Sequence, residues 1–203
     1  DVHAHILPRV YLDAMRAAGL ADKAGRLVGD GFPFPGWSLE DTLRVMDRHA
    51  IQASVLSITA PGAQFEQGAG ARELVRALNE AMAAIVRERP ARFAALATLP
   101  LSDIDASLEE MDHAVDRLRF DGIGVYSNVD GVYLGDMRFE PLFEELNRRK
   151  AVVFVHPAQP PGFEQFSLDL PAPILEYPFD STRMLASLLY SGTLARYPDI
   201  QLI

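Results

Sequence analysis

Six short apolar runs, at residues 2–7, 53–58, 93–99, 122–126, 151–155 and 200–203, alternate with longer stretches whose apolar residues recur every three or four positions. The short runs have the length of strands and the longer stretches the period of helices. Leu39, Leu43 and Met46 form one stripe, opened by Ser38-Leu39-Glu40-Asp41, which has the form of a capping box with Asp in the Glu position. Leu74, Leu78, Met82 and Ile85 form another over residues 72–89, and Pro90 ends it. Further helices are predicted over residues 104–118, 140–149 and 181–196, the last capped by Asp180 or Ser181. A Gly- and Pro-containing excursion at 11–36 and a Pro-rich loop at 157–178 interrupt the rhythm. Repeated strand–helix alternation predicts an α/β fold with a parallel sheet and right-handed crossovers.

The pattern alone allows an open doubly wound sheet or a barrel. The open sheet normally carries a phosphate-cradling, glycine-rich turn after its first strand, where this chain reads His5-Ile6-Leu7-Pro8. Composition narrows the partners. A formal net charge of −9 disfavours nucleic acid and anionic membranes, although a cation inside an acidic shell can still attract a small anion. There is no cysteine, so any metal must be held by His, Asp or Glu, and the composition fits a cytoplasmic location. No run approaches the ~20 apolar residues of a membrane span. The chain opens at Asp1 and stops at Ile203 inside runs predicted as strands, so residues 1–203 read as one barrel domain truncated at its C-terminus.

Asp1-Val2-His3-Ala4-His5 carries the strongest chemical signal. Side chains alternate along a strand, so Asp1, His3 and His5 share one face. Two imidazoles so spaced, about 7 Å apart at Cα, can converge on one ion; a hydrogen-bonded pair of strand histidines is the alternative. His156 ends the buried run 151–155, at the strand end where parallel barrels place active-site groups, and is the candidate third ligand. After the fourth predicted strand the chain reads Ser127-Asn128, with neither Lys nor carboxylate to bridge two metals, so one metal is expected. Tyr126 and Asn128 are candidates to line a substrate pocket, with ordinary loop roles as the alternative. Phe32, Phe34 and Trp37 are candidates for an aromatic wall, or for loop packing. Arg183, in the predicted first turn of the last helix where the dipole disfavours a cation, is a candidate contact for a substrate carboxylate or a neighbouring subunit. His49 and His113 are expected to be solvated surface groups.

These motifs occur in a recognisable order. Asp1-Val2-His3-Ala4-His5-Ile6-Leu7-Pro8, Ala97-Thr98-Leu99-Pro100, Phe154-Val155-His156-Pro157, Tyr177-Pro178-Phe179-Asp180-Ser181-Thr182-Arg183 and Ser191-Gly192-Thr193-Leu194-Ala195-Arg196-Tyr197-Pro198-Asp199 together resemble the amidohydrolase-related family. The resemblance is to the branch containing aminocarboxymuconate-semialdehyde, γ-resorcylate and 6-methylsalicylate decarboxylases, and is nearest the 6-methylsalicylate type. It implies a (β/α)8 barrel, present here as about strands one to six, with His3, His5 and His156 as metal ligands. A homodimer is expected for the intact parent, and Tyr126, Asn128, Phe179, Arg183 and Trp37 are the candidate substrate-binding residues of this chain. The family's acid–base His after strand six and last ligand Asp after strand eight have no counterpart in these residues.

The expected reaction is nonoxidative decarboxylation of a small aromatic or unsaturated acid, with one divalent metal, zinc by ligand type and manganese as the alternative. Hydrolysis of a lactone, ester or amide at the same site is a second expectation, because the fold does not choose between them. A catalytically incomplete piece is a third.

Overall fold

The computed structural model describes residues 1–203. Its frame is a parallel sheet of six strands: β1 (Ala4–Ile6), β2 (Ser54–Ile58), β3 (Phe93–Thr98), β4 (Gly122–Tyr126), β5 (Val152–His156) and β6 (Gln201–Leu202). Spatial order follows chain order, with β1 and β6 at the two edges. In register, His5 lies opposite Ser57, Leu96 opposite Gly122, Tyr126 opposite His156 and Leu202 opposite Val153.

The sheet is curled. Four steps separate β1 from β5, which in a flat sheet would hold them about 19 Å apart at roughly 4.8 Å per step. The rings of His3, just before β1, and His156, at the end of β5, nevertheless have centroids 5.0 Å apart. Only an arc that brings the two strands face to face does this, so the barrel reading stands and the open sheet falls. Ser57, Leu96, Thr98, Gly124, Tyr126, Phe154 and His156 border a small cavity on the concave side. Alternate residues of the same strands, among them Leu56, Ala95, Ala97, Ile123, Val125 and Val153, join the main core on the other.

Helices α1 (Arg9–Ala17), α2 (Leu39–Arg48), α3 (Gly68–Glu88), α4 (Ile104–Asp112), α5 (Glu140–Arg148), α6 (Ala172–Tyr190) and α7 (Thr193–Arg196) connect the strands. Three sequence expectations change. Helix α1 occupies part of the excursion expected to be irregular; its Tyr11 and Met15 are fully buried, but the polar residues around them masked the pair. Helix α6 begins at Ala172, well before residue 181. Its buried face is Ala172, Glu176, Asp180, Met184 and Leu188, a regular four-residue spacing whose polar members hid it from an apolar-stripe search. Pro173 suits a first turn, and Pro178 is accommodated inside the helix at the cost of one backbone bond. Asp180 is therefore no cap, and Arg183 is not in a first turn. Ser38 does cap α2, accepting from the Asp41 amide at 3.0 Å, but its hydroxyl donates to the Asp41 carboxylate at 2.7 Å. The pair closes on itself, and the reciprocal backbone bond of the expected capping box does not form.

Candidate metal centre

His3 and His5 point to the concave face, while Ala4 between them turns outward beside Thr42 and Met46 of α2. The Asp1 carboxylate accepts the His3 backbone amide at 3.0 Å, holding the strand's entry in place. The Nε2 atoms of His3 and His5 lie 2.8 Å apart, and ring centroids of His5 and His156 4.9 Å. One coordinating atom from each of the three histidines falls within 4.8 Å of the other two. His156 is buried, and its Nδ1–H donates to the Pro157 carbonyl at 2.6 Å. That bond selects the tautomer whose Nε2 carries the free lone pair.

Electrostatics keep the cluster neutral. Burial lowers the pKa of His3; burial, reinforced by His156 and His3, brings His5 down to about 3. Burial brings His156 to about 4, opposed by its bond to Pro157 and assisted by His3. Neutral, desolvated imidazoles are the form that ligates a cation. Two nitrogens sharing one tetrahedral ion at bonds near 2 Å sit about 3.3 Å apart, so the 2.8 Å His3–His5 contact needs only a small opening. The donor set fits a divalent cation.

Around the histidines stand groups that sequence reasoning did not single out. The Tyr177 ring packs edge-on to His156 at 5.9 Å, and its hydroxyl donates to Asp30 at 2.8 Å. Asp30 sits at the turn of a hairpin, Val28–Gly29 against Phe32–Pro33, and also accepts the Gln159 amide at 3.0 Å. Burial raises the Asp30 carboxyl, against the pull of those two hydrogen bonds. Asp180, fully buried, receives hydrogen bonds from Ser127 Oγ, from Asn128 Nδ2 at 2.9 Å and from the Tyr133 hydroxyl at 2.6 Å. Tyr177 and Asp180 lie within one of the motifs that carry the family resemblance, but nothing in a linear reading joins Asp30 to residues almost 150 positions away.

The candidate substrate-binding residues separate. Tyr126 is beside the histidines, its ring 6.0 Å from that of His156 and its hydroxyl donating to the Ile58 carbonyl at 3.0 Å. Asn128 is close in sequence, but both amide hydrogens are taken, one by Asp180 and one by the Gln159 carbonyl at 3.1 Å. Arg183 pairs with Glu176 at 3.6 Å on α6, and Phe179 on the same helix is 52% exposed. Trp37 lies near Leu7, Arg9, Leu12 and Arg16, and also near Ala4, hence on the outward side of β1. Phe34 packs on Tyr11 at 6.3 Å. Trp37 thus lies behind β1, Phe34 is taken up by Tyr11 and Phe32 is 40% exposed, so the three do not join into one wall over the histidines. His113, expected to be solvated, is largely buried and meets Glu80 at 2.9 Å. His49 is exposed at the end of α2.

The family model described as amidohydrolase matches residues 1–203. The chain belongs to the amidohydrolase family. Two curated relatives align along the whole of it: a decarboxylase of Aspergillus niger, 38% identical, and a 6-methylsalicylic acid decarboxylase of Penicillium expansum, 36% identical. The chain spans 56% and 62% of their respective lengths. A solved amidohydrolase II structure superposes with a TM-score of 0.91 at 30% identity, over 100% of this chain and 64% of that one. A dihydroxybenzoic acid decarboxylase from Polaromonas, solved with bound manganese and the inhibitor 2-nitroresorcinol, shares the fold with a TM-score of 0.79. It is 23% identical over 98% of this chain and 62% of its own.

Proposed function

We propose that the protein containing these residues is a metal-dependent, nonoxidative decarboxylase of a small aromatic carboxylic acid. The observation that carries the reading is the convergence of His3, His5 and His156 at the C-terminal mouth of a barrel arc. The decarboxylase relatives support it, and 6-methylsalicylate is the first substrate to try. Because the chain spans little more than half of those relatives, the activity is proposed for the whole protein, and the 203 residues by themselves are expected to be inactive.

One divalent cation is proposed at the three histidines, zinc by donor type; manganese, as in the Polaromonas structure, is the alternative. When bound, the cation supplies Lewis-acid stabilisation of negative charge on the substrate's carboxylate and neighbouring oxygens. His156 is held in the ligating tautomer by Pro157. Tyr126 and Tyr177, edge-on to His156, form apolar walls against which an aromatic ring can lie, and Asp30 fixes Tyr177 in that pose. Both tyrosine hydroxyls are held well above their ordinary range, first by burial and then by Asp30, so they stay protonated donors. Arg183 could meet a carboxylate only by leaving Glu176. Asn128, Phe179 and Trp37 remain subordinate candidates, from the positions just described. A homodimer is also part of the proposal, supported by the exposed Ile174, Phe179, Leu185 and Leu189 of α6, as is a cytoplasmic location, supported by the cysteine-free sequence. No helix is long and apolar enough to cross a membrane.

The test is to incubate the whole protein with a panel of hydroxybenzoic acids and either Zn2+ or Mn2+, and to measure CO2. Release of CO2 that disappears in His156→Ala is expected. Cleavage of lactones or esters with no CO2 from any acid would replace decarboxylation with hydrolysis.

A further inference from the structure

The carboxylate of Asp180 and the ring of His156 are joined by an unbroken chain of hydrogen bonds. Ser127 Oγ donates to Asp180 Oδ2 and itself accepts the Ala158 amide at 2.9 Å. The Ala158 N–H and the Pro157 carbonyl belong to one planar peptide unit and point in opposite directions. That carbonyl accepts the His156 Nδ1–H at 2.6 Å. The Ser127 backbone amide closes the arrangement by donating to the His156 carbonyl at 2.9 Å. Ser127 and Asp180 are fully buried, and His156 and Ala158 are each 6% exposed.

We infer that Asp180 is a positioning residue for His156, acting through Ser127 and the Pro157–Ala158 peptide as a lengthened carboxylate–histidine relay. The inference rests on reading His156 as a metal ligand. A carboxylate bonded directly to the far nitrogen of a ligating histidine fixes its tautomer and raises its basicity. Here a hydroxyl and a peptide stand between the two, and both transmit. A Ser127 hydroxyl that gives its proton to a carboxylate is a better acceptor for the Ala158 N–H, and a peptide whose N–H is engaged presents a more negative carbonyl oxygen. The hydrogen bonds that Asp180 accepts come from three neutral donors, Ser127, Asn128 and Tyr133. Two of those donors lie in the segment just after β4. The Ser127 branch alone runs on to the peptide beside His156; Tyr133 ends at Asp180, which makes it an internal control.

Two measurements test the relay. In the metal-free protein, 15N spectra of the His156 ring are expected to show the Nδ1–H tautomer, with its fraction falling in Ser127→Ala and Asp180→Asn. In the same variants the affinity for Mn2+, read by calorimetry, is expected to fall about 10- to 100-fold, while Tyr133→Phe stays close to wild type. If Asp180→Asn fails to fold, Ser127→Ala, which removes one hydroxyl, decides. A wild-type Nε2–H tautomer would overturn the relay. So would wild-type Mn2+ affinity in folded Ser127→Ala when His156→Ala has lost binding, and the metal reading would then survive. Unchanged Mn2+ binding in His156→Ala would instead sink the metal reading, and the tautomer fractions would still judge the relay.

Discussion

Asn79 exchanges two hydrogen bonds with the backbone of Thr98, giving Nδ2–H to its carbonyl and taking its amide on Oδ1, both at 2.9 Å. This ties α3 to the last residue of β3, at the mouth of the barrel arc. The other Nδ2 hydrogen goes to Glu110 of α4 at 2.7 Å, and Arg76 reaches the second oxygen of that buried carboxylate at 2.7 Å. Asn79→Ala therefore strands a backbone donor, a backbone acceptor and part of a buried charge. A loss of about 3 kcal/mol in urea unfolding is expected. Arg72→Ala, which removes a solvent-screened pair with Asp103, should move the unfolding midpoint far less. Equal costs would show that burial is not what gives the Asn79 network its weight.

Acid should weaken the metal-free fold from about pH 6.5 downwards. His5 and His156 have native pKa values near 3 and 4 against 6.5 when unfolded. Between those limits the unfolded chain holds protons the native one lacks, so stability falls as pH falls. It is intact above about pH 6.5 and lost progressively down to about pH 4 for His156 and about pH 3 for His5. Two such groups give a slope of up to about 2.7 kcal/mol per pH unit. Denaturation midpoints at half-unit intervals should show it, and His156→Gln should reduce it. A profile flat from pH 6.5 to 4 would contradict the buried, neutral cluster.

Metal should reverse part of that loss. A cation bound only by the native protein adds about 2.7 kcal/mol at a hundred times its Kd. Thermal scans with Mn2+ or Zn2+ should rise accordingly and return to baseline with chelator. His5→Ala should abolish the response, and a persistent shift in that variant would place the cation elsewhere.

Gly135 is expected to be intolerant of any side chain. A Cβ there would lie 2.3 Å from the Ser187 carbonyl oxygen, which is backbone of α6 and cannot swing aside. Gly135→Ala should force α6 outward and cost about 1–3 kcal/mol. Gly124 on the concave face would meet only ordinary contacts at 3.7 Å, so Gly124→Ala should change stability by less than about 1 kcal/mol. Equal tolerance at both positions, read by the same denaturation, would show that α6 is loosely seated.

The strands and the three histidines were legible because each advertises itself locally. Residues 122–126 alternate between small or aromatic inward positions and apolar outward ones, and His3 and His5 share a face by simple period. What stayed hidden was polar burial. Asn79 lies on the buried face of α3 and Asp180 on that of α6, and each reads in sequence as an interruption of an apolar stripe. Their partners, Thr98, Glu110, Ser127 and Tyr133, are 19 to 53 residues away and become visible only once the sheet has curled. The start of α6 was missed for the same reason, compounded by Pro173 and Pro178, which mark breaks in most contexts and are absorbed in this one.

Placing the clustered histidines on β1 and β5 turns the shape of the whole sheet into a local chemical variable. Four strand-to-strand junctions lie between His5 and His156, and a tilt of a few degrees at each would add up across the arc before reaching the rings. The gap between the imidazoles thus works like the tip of a pair of callipers whose hinge is the core. A substitution far out on the convex face, touching none of the three histidines, would be felt first as a change in the spacing of their rings.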